Sequence, residues 1–185
     1  MSESKKKYLR RPVLTIIGMV CLAVSVAAQD PSPPNSEAMV YVQEGRELYL
    51  KGLFKPAIAS FEKALALEKK RPTLEKAWWR YLVEDLAISY ALSGDLKKAK
   101  ETFEYGLARD PKYWSFNYNM ACTYAEMNDV DKAISYLKLA YKYAEEMTDK
   151  PKFDPWTDSS FKKLMNDDKF FDALTELERK RAGKK

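Results

Sequence analysis

The side chains that most often carry out catalysis or hold metal ions are scarce in this sequence. Histidine, the commonest general base and metal ligand, is absent from all 185 residues. The two cysteines, Cys21 and Cys122, are too few for a cysteine-rich metal site, and Cys122 has no histidine to activate it as a nucleophile. We therefore predict a protein that is not an enzyme and that has no cofactor and no metal site.

Acidic residues occur as adjacent pairs at Glu84-Asp85, Glu145-Glu146 and Asp167-Asp168. Neighbouring residues on a helix point to different faces, so these pairs do not place two carboxylates together for acid-base catalysis. Solvated helix faces and caps at helix starts explain the pairs better.

The net charge argues against nucleic-acid binding. The formal charge of the chain is +5, but five of its 32 basic residues and one of its 27 acidic residues precede Gln29. The remaining sequence carries 27 basic and 26 acidic residues, so it lacks the basic surface that binds nucleic acid. The full chain, with 46% hydrophobic and 32% charged residues, is expected to be globular.

The first 28 residues have the composition of a secretory signal peptide. A basic start is followed by an uncharged apolar run of 16 residues, 13–28, which ends in Val26-Ala27-Ala28. We predict that 1–28 is a cleaved signal peptide, that 29–35 is a proline-rich linker, and that the protein is exported to the periplasm or secreted. The apolar run is shorter than the about 20 residues of a membrane span, and an uncleaved N-terminal anchor facing the periplasm is the alternative.

A pattern of small and apolar residues recurs along the middle of the chain. Its members at Ala87, Gly94, Ala99 and Phe103 have equivalents 34 residues later at Ala121, Asn128, Ala133 and Leu137, and 42 residues earlier at Gly45, Gly52, Ala57 and Phe61. The eight extra residues of the earlier interval lie in a stretch that contains Pro72 to Trp79. We expect this insertion to lengthen the following helix, which would start at Pro72-Thr73 and run for about 20 residues.

These residues and their spacing resemble the tetratricopeptide repeat, a 34-residue helix-turn-helix unit. The resemblance implies an all-α solenoid of three helix pairs, with an elongated first helix in the second repeat and C-terminal capping helices. The implied repeats lie at about 38–71, 80–113 and 114–147, the cap at about 156–181, and the whole repeat domain at 36–185.

The resemblance also implies where function lies. In tetratricopeptide arrays the first helices of successive repeats line a concave groove that binds another protein or a peptide segment. The positions of this sequence that match the groove are Val42, Arg46, Tyr49, Tyr81, Glu84, Ile88, Tyr118 and Cys122. Three of them are tyrosines in successive repeats. Their rings could form a ladder for the apolar side chains of a bound segment, or they could fill the space between repeats. The resemblance implies neither a nucleic-acid partner nor a small-molecule substrate.

The most consistent interpretation is an exported, non-enzymatic adaptor or scaffold of the bacterial envelope. The alternative is a structural subunit that self-associates, or joins a larger envelope complex, through the end of its solenoid. Trp78 and Trp79 fit two roles, packing on the first repeat or lining the binding surface, since tryptophan is enriched in interface hot spots.

Overall fold

The computed structural model describes residues 36–149 and 151–183, so the predicted signal peptide 1–28 and linker 29–35 lie outside the described residues. The described residues form α-helices and one 3-10 helix, without a β-strand. The elements in chain order are α1 (Glu37–Leu50), α2 (Phe54–Lys70), α3 (Lys76–Leu92), α4 (Leu96–Arg109), α5 (Trp114–Glu126), α6 (Val130–Glu145), the 3-10 helix (Ser159–Asn166) and α7 (Asp168–Ala182). The predicted all-α architecture of three helix pairs with C-terminal helices is confirmed.

Short polar side chains start several of these helices. Ser36, Asp95, Asp129 and Asp167 each accept a hydrogen bond from the backbone N–H three residues further on, at 3.3, 3.0, 3.1 and 2.9 Å. Such N-caps satisfy backbone donors that have no partner inside the helix. The helix starts are therefore fixed locally by the sequence.

The turn inside each helix pair has the same backbone geometry. Gly52, Gly94 and Asn128 have φ values of 73°, 89° and 61°, a left-handed conformation that glycine adopts freely and asparagine tolerates. These residues are separated by the 42- and 34-residue intervals of the sequence pattern. The repeat offsets therefore correspond to equivalent positions in space.

Small residues allow the two helices of a pair, and neighbouring pairs, to pack closely. A Cβ atom placed on Gly45 would lie 2.5 Å from the Phe61 ring, and one on Gly106 would lie 2.8 Å from the Phe116 ring. Both rings are fully buried. Glycine at these positions is therefore required by the close approach of helices.

The eight extra residues between the first and second repeats are divided among α2, the connection at 71–75 and α3. Helix α2 has 17 residues against 14 in α4, and α3 has 17 against 13 in α5. The connection at 71–75 is one residue longer than the equivalent connection at 110–113. The predicted elongation of α3 is confirmed, whereas its predicted start at Pro72-Thr73 is wrong, because α3 begins at Lys76.

The buried carboxylate of Glu68 explains why the helix starts late. Its Oε1 atom accepts hydrogen bonds from the backbone N–H groups of Thr73 and Leu74, at 2.8 and 3.0 Å, and from the Thr73 hydroxyl at 2.7 Å. These bonds hold 71–75 as a structured loop closing the C-terminal end of α2.

The C-terminal elements cover the third repeat. The 3-10 helix packs on α5, and α7 packs on α6 and on the 3-10 helix. Phe161, Phe170 and Leu174 supply fully buried side chains to this contact. The predicted capping role is confirmed, and the first of the capping elements is a 3-10 helix. Of the helices at 36–149 and 151–183, none is long and apolar enough to cross a membrane.

We predict that Gly45→Ala destabilises the protein, although alanine favours a helix over glycine by about 1 kcal/mol. The added methyl group would overlap the Phe61 ring, and overpacking of this kind costs about 1–3 kcal/mol. Thermal unfolding measures the change. The double variant Gly45→Ala/Phe61→Leu is the control, because leucine at position 61 is smaller than phenylalanine and leaves room for the added methyl group. If the double variant were no more stable than Gly45→Ala, the packing explanation would be contradicted.

Candidate functional site

The first helices of the three pairs line the inner side of the solenoid. Helix α3 contacts α1 on one side and α5 on the other. Each second helix packs behind its own first helix, so the inner, concave surface is built from side chains of α1, α3 and α5.

A cluster of aromatic and charged side chains joins α1 to α3 on this surface. The Arg46 guanidinium lies 4.7 Å from the centre of the Tyr81 ring and 5.7 Å from that of Trp78, within the range of cation-π attraction. Its Nε atom is 3.7 Å from Oδ2 of Asp85. Trp78, Tyr81 and Asp85 are spaced by three and four residues, which places them on one face of α3.

A second polar contact joins α3 to α5. Oε1 of Glu84 accepts a hydrogen bond from Nδ2 of Asn119 at 2.7 Å and another from the hydroxyl of Ser115. Asn119 and Ser115 are both buried. The Glu84 carboxylate is therefore held at the junction between the second and third repeats.

Burial sets the electrostatics of these two neighbouring carboxylates. It raises the pKa of Glu84 from 4.5 to about 7, and the hydrogen bond from Ser115 opposes this rise. Burial also raises the pKa of Asp85 from 3.8 to about 6, against the lowering effect of the Arg46 charge. The negative charge on this part of the concave surface therefore changes near neutral pH.

The concave side of the third repeat is covered by the protein's own C-terminal segment. The Tyr118 hydroxyl donates a hydrogen bond of 2.7 Å to Oδ2 of Asp158, and Sγ of Cys122 lies 3.8 Å from the same oxygen. The Tyr118 ring also contacts the rings of Phe153 and Phe161, at 5.0 and 5.9 Å between ring centres. Tyr118 and Cys122 are consequently buried.

Phe153 is the centre of this covering segment. Its ring stacks on that of Trp114 at 5.4 Å and meets the edge of Tyr141 at 4.9 Å. Arg181 of α7 donates hydrogen bonds of 3.2 and 3.0 Å to the carbonyl oxygens of Phe153 and Pro151. The segment at 151–158 is therefore fixed from both sides.

The structure narrows the groove that the sequence predicted. Val42 is fully buried in the core, so it does not face an open surface. Tyr118 and Cys122 do lie on the concave side, but the C-terminal segment covers them. The predicted groove residues that remain accessible, all half-buried, are Arg46, Tyr49, Tyr81, Glu84 and Ile88.

Reasoning from the sequence missed the partners of these residues. From the sequence, the Glu84-Asp85 pair is assigned to a solvated helix face or a cap, whereas Asp85 pairs with Arg46. Trp78 is buried against Arg46 and Tyr81, and Trp79 packs on Tyr105 and Phe116 in the core. The sequence signal that could have revealed this cluster is the spacing of Trp78, Tyr81 and Asp85, which places them on one face of a helix.

The described part of the chain has no cluster of histidine, cysteine or acidic side chains that could hold a metal ion. Cys122 is a buried thiol there, beside the Asp158 carboxylate. The side chains that α1 and α3 bring together are suited to contact a polypeptide, because they combine aromatic rings, an arginine and carboxylates in one accessible groove.

These features define a class of protein, the helical-repeat proteins whose concave face contacts another polypeptide. A family model described as a tetratricopeptide repeat matches residues 115–147. One relative, the photosystem I assembly protein Ycf3 of Prochlorococcus marinus, is 25% identical over 123 residues, which are 66% of this chain and 65% of the relative. The match thus spans slightly less than two thirds of the relative's length.

Residues 115–147, which cover all but the first residue of the third helix pair, therefore match the tetratricopeptide repeat, and the left-handed turns of the two preceding pairs have the same backbone geometry. Repeats of this family bind other proteins or peptides, and its members are generally non-enzymatic scaffolds.

We predict that the stability of the protein falls as pH rises from about 4.5 to 8. The folded-state pKa of Glu84 is above its ordinary value. The contribution of this side chain to the free energy of unfolding is therefore complete below pH 4.5 and is lost as pH passes about 7. Glu84→Gln keeps the oxygen that accepts both hydrogen bonds, and it should raise the free energy of unfolding at pH 8 by roughly 1–3 kcal/mol.

At pH 4 the same substitution should have little effect, and urea unfolding at both pH values measures the difference. The exposed Glu44→Gln on α1 is the matched control. An equal effect of Glu84→Gln at pH 4 and pH 8 would contradict the assignment.

Proposed function

We propose that this protein is an exported adaptor that binds an extended or helical segment of a partner protein between α1 and α3. The accessible cluster of Arg46, Tyr81 and Asp85 is the observation that carries the proposal. Ile88, three residues after Asp85, extends the same face of α3 with apolar surface. Tyr49, three residues after Arg46, packs its ring against Phe54 at 5.7 Å. The third repeat does not contribute, because the C-terminal segment occupies its concave side.

The chemistry of the groove favours a partner with both apolar and polar side chains. Tyrosine and arginine are enriched in interface hot spots, and their rings and guanidinium groups offer contact area at a low entropic cost. Arg46 is 34% exposed in its side chain, whereas Asp85 is 16% exposed. A partner therefore meets the arginine and the tyrosine rings first, with the carboxylates behind them.

Assembly of several proteins is a role that fits such an adaptor. The relative described above is named as an assembly protein for photosystem I, which favours an adaptor that brings partners together. Association through the C-terminal end of the solenoid is less favoured, because Phe161, Phe170 and Leu174 are already buried by the cap.

The bacterial envelope is the proposed location. It rests on the basic start, the apolar run at 13–28 and the small residues before Gln29.

We predict that Tyr81→Ala weakens partner binding by roughly 1–3 kcal/mol, as truncation of a hot-spot ring does. The partner is first trapped by a photo-crosslinking amino acid at Ile88, and its affinity for the purified variants is then measured by titration calorimetry. The Tm should change little, because the Tyr81 ring is half-buried at the surface of α3.

Tyr105→Ala is the matched control, since this tyrosine is also half-buried but lies on α4, away from the concave side. Equal affinities for the Tyr81 and Tyr105 variants would overturn the groove assignment. A large loss of Tm in Tyr81→Ala alone would show that the ring is structural.

We predict that the protein recovered from the envelope begins at Gln29. Intact-mass measurement and N-terminal sequencing of the exported chain test this, with Ala28→Arg as the control for blocked cleavage. Recovery of a membrane-bound chain that retains Met1 would reject cleavage and support the N-terminal anchor.

A further inference from the structure

The turn edge of the first repeat differs from the same edge in the other two repeats. In the second and third repeats the residue after the left-handed position is Asp95 or Asp129, which caps the next helix. The equivalent residue in the first repeat is Leu53, which has no capping hydrogen bond. Lys98 and Lys132, which supply the capped N–H groups, are replaced by Pro56.

The turn itself does not require a leucine. The backbone N–H of Leu53 bonds to the carbonyl oxygen five residues earlier at 2.9 Å, and Asp95 and Asp129 make the same bond at the same length. Leu53 also has the backbone dihedral angles of Asp95, −88° and 65° against −94° and 70°. Leu53 and Pro56 thus occupy positions where aspartate and lysine would fit the same turn and would add an N-cap.

Leu53 and Pro56 line one cleft together with Leu92 of the second repeat. The cleft is shallow and open to solvent, has a volume of about 390 Å³, and is completed by Gly52, Phe54, Lys55 and Ser93. Leu53 and Leu92 are 47% and 46% exposed, and Leu50, which ends α1 before the same turn, is 76% exposed. Single exposed leucines are ordinary, but a group of them around a recess marks a contact surface.

The positive charges beside the cleft favour an acidic partner. Lys55 is its only charged lining residue, and exposed Lys51 adjoins it at the turn. Within the described ranges no carboxylate lies in ion-pair distance of either lysine. An acidic segment that inserts apolar side chains between them would be complementary in both shape and charge.

We propose that this edge, formed by Leu50, Leu53, Pro56 and Leu92 with Lys51 and Lys55, is a second docking surface for an acidic amphipathic segment of a partner protein. A second copy of this chain fits less well, because a two-fold contact would bring the same lysines together. A membrane surface also fits less well, because it would leave the recess unfilled. The surface lies at the turns, apart from the groove residues Arg46 and Tyr81.

The decisive variant is Leu53→Asp/Pro56→Lys, which gives the first repeat the turn residues of the second and third. The restored cap should hold the Tm or raise it by about 2–4 °C. The probe is a fluorescein-labelled helical peptide of about 16 residues, with leucines along one face and glutamates beside them, and fluorescence anisotropy measures its binding to the purified protein.

We expect saturable binding to the unmodified protein and at least about tenfold weaker binding to the double variant. Lys51→Glu/Lys55→Glu should also weaken it, as should a peptide in which lysines replace the glutamates. Met127→Ser, at the third turn, and Tyr81→Ala, in the groove, should leave it unchanged, which separates this surface from the proposed groove.

Three results would overturn the proposal. One is equal peptide binding by the unmodified protein and the stable double variant, or no binding by either. Another is a dimer, seen by sedimentation, that the double variant abolishes. The last is cosedimentation with vesicles of phosphatidylcholine and phosphatidylglycerol that depends on Leu53.

Discussion

Close approach of helices at small residues is the constraint on which the rest of the structure depends. The backbone at Gly45 leaves so little space that a methyl group would lie 2.5 Å from the Phe61 ring, and the backbone at Gly106 is nearly as close to Phe116. Both rings are fully buried, so α1 packs closely on α2, and α4 on α5, at these two points. The successive first helices therefore face the same side, and the concave surface follows from packing in the core.

Polar contacts on that surface occur where one repeat meets the next. Arg46 and Asp85 link the first helix of the first repeat to that of the second, while Glu84 and Asn119 link the second to the third. Partial burial makes ionisation of both carboxylates less favourable, which raises their pKa values to about 6 and 7. The residues that join the repeats are thus also the ones that give the groove its polarity and its dependence on pH.

The C-terminal segment has two consequences for the same repeat. Its buried phenylalanines cover the apolar end of the helix stack, while Phe153 and Asp158 occupy the concave side through Trp114, Tyr118 and Cys122. The open part of the concave surface is restricted to α1 and α3 as a result.

The sequence by itself determined the helix pairs, their turns and their offsets, because these depend on local chemistry: left-handed glycines, capping aspartates and small residues at fixed intervals. The resemblance to the repeat family also implied the C-terminal cap, in which Phe161, Phe170 and Leu174 are buried. Only the tertiary structure decided that Glu68 delays the start of α3, that Asp85 pairs with Arg46, and that Tyr118 is covered. Those outcomes depend on which side chains meet across sequence separations that no local pattern encodes, so periodicity could place a residue on the concave side but could not tell whether it stays open.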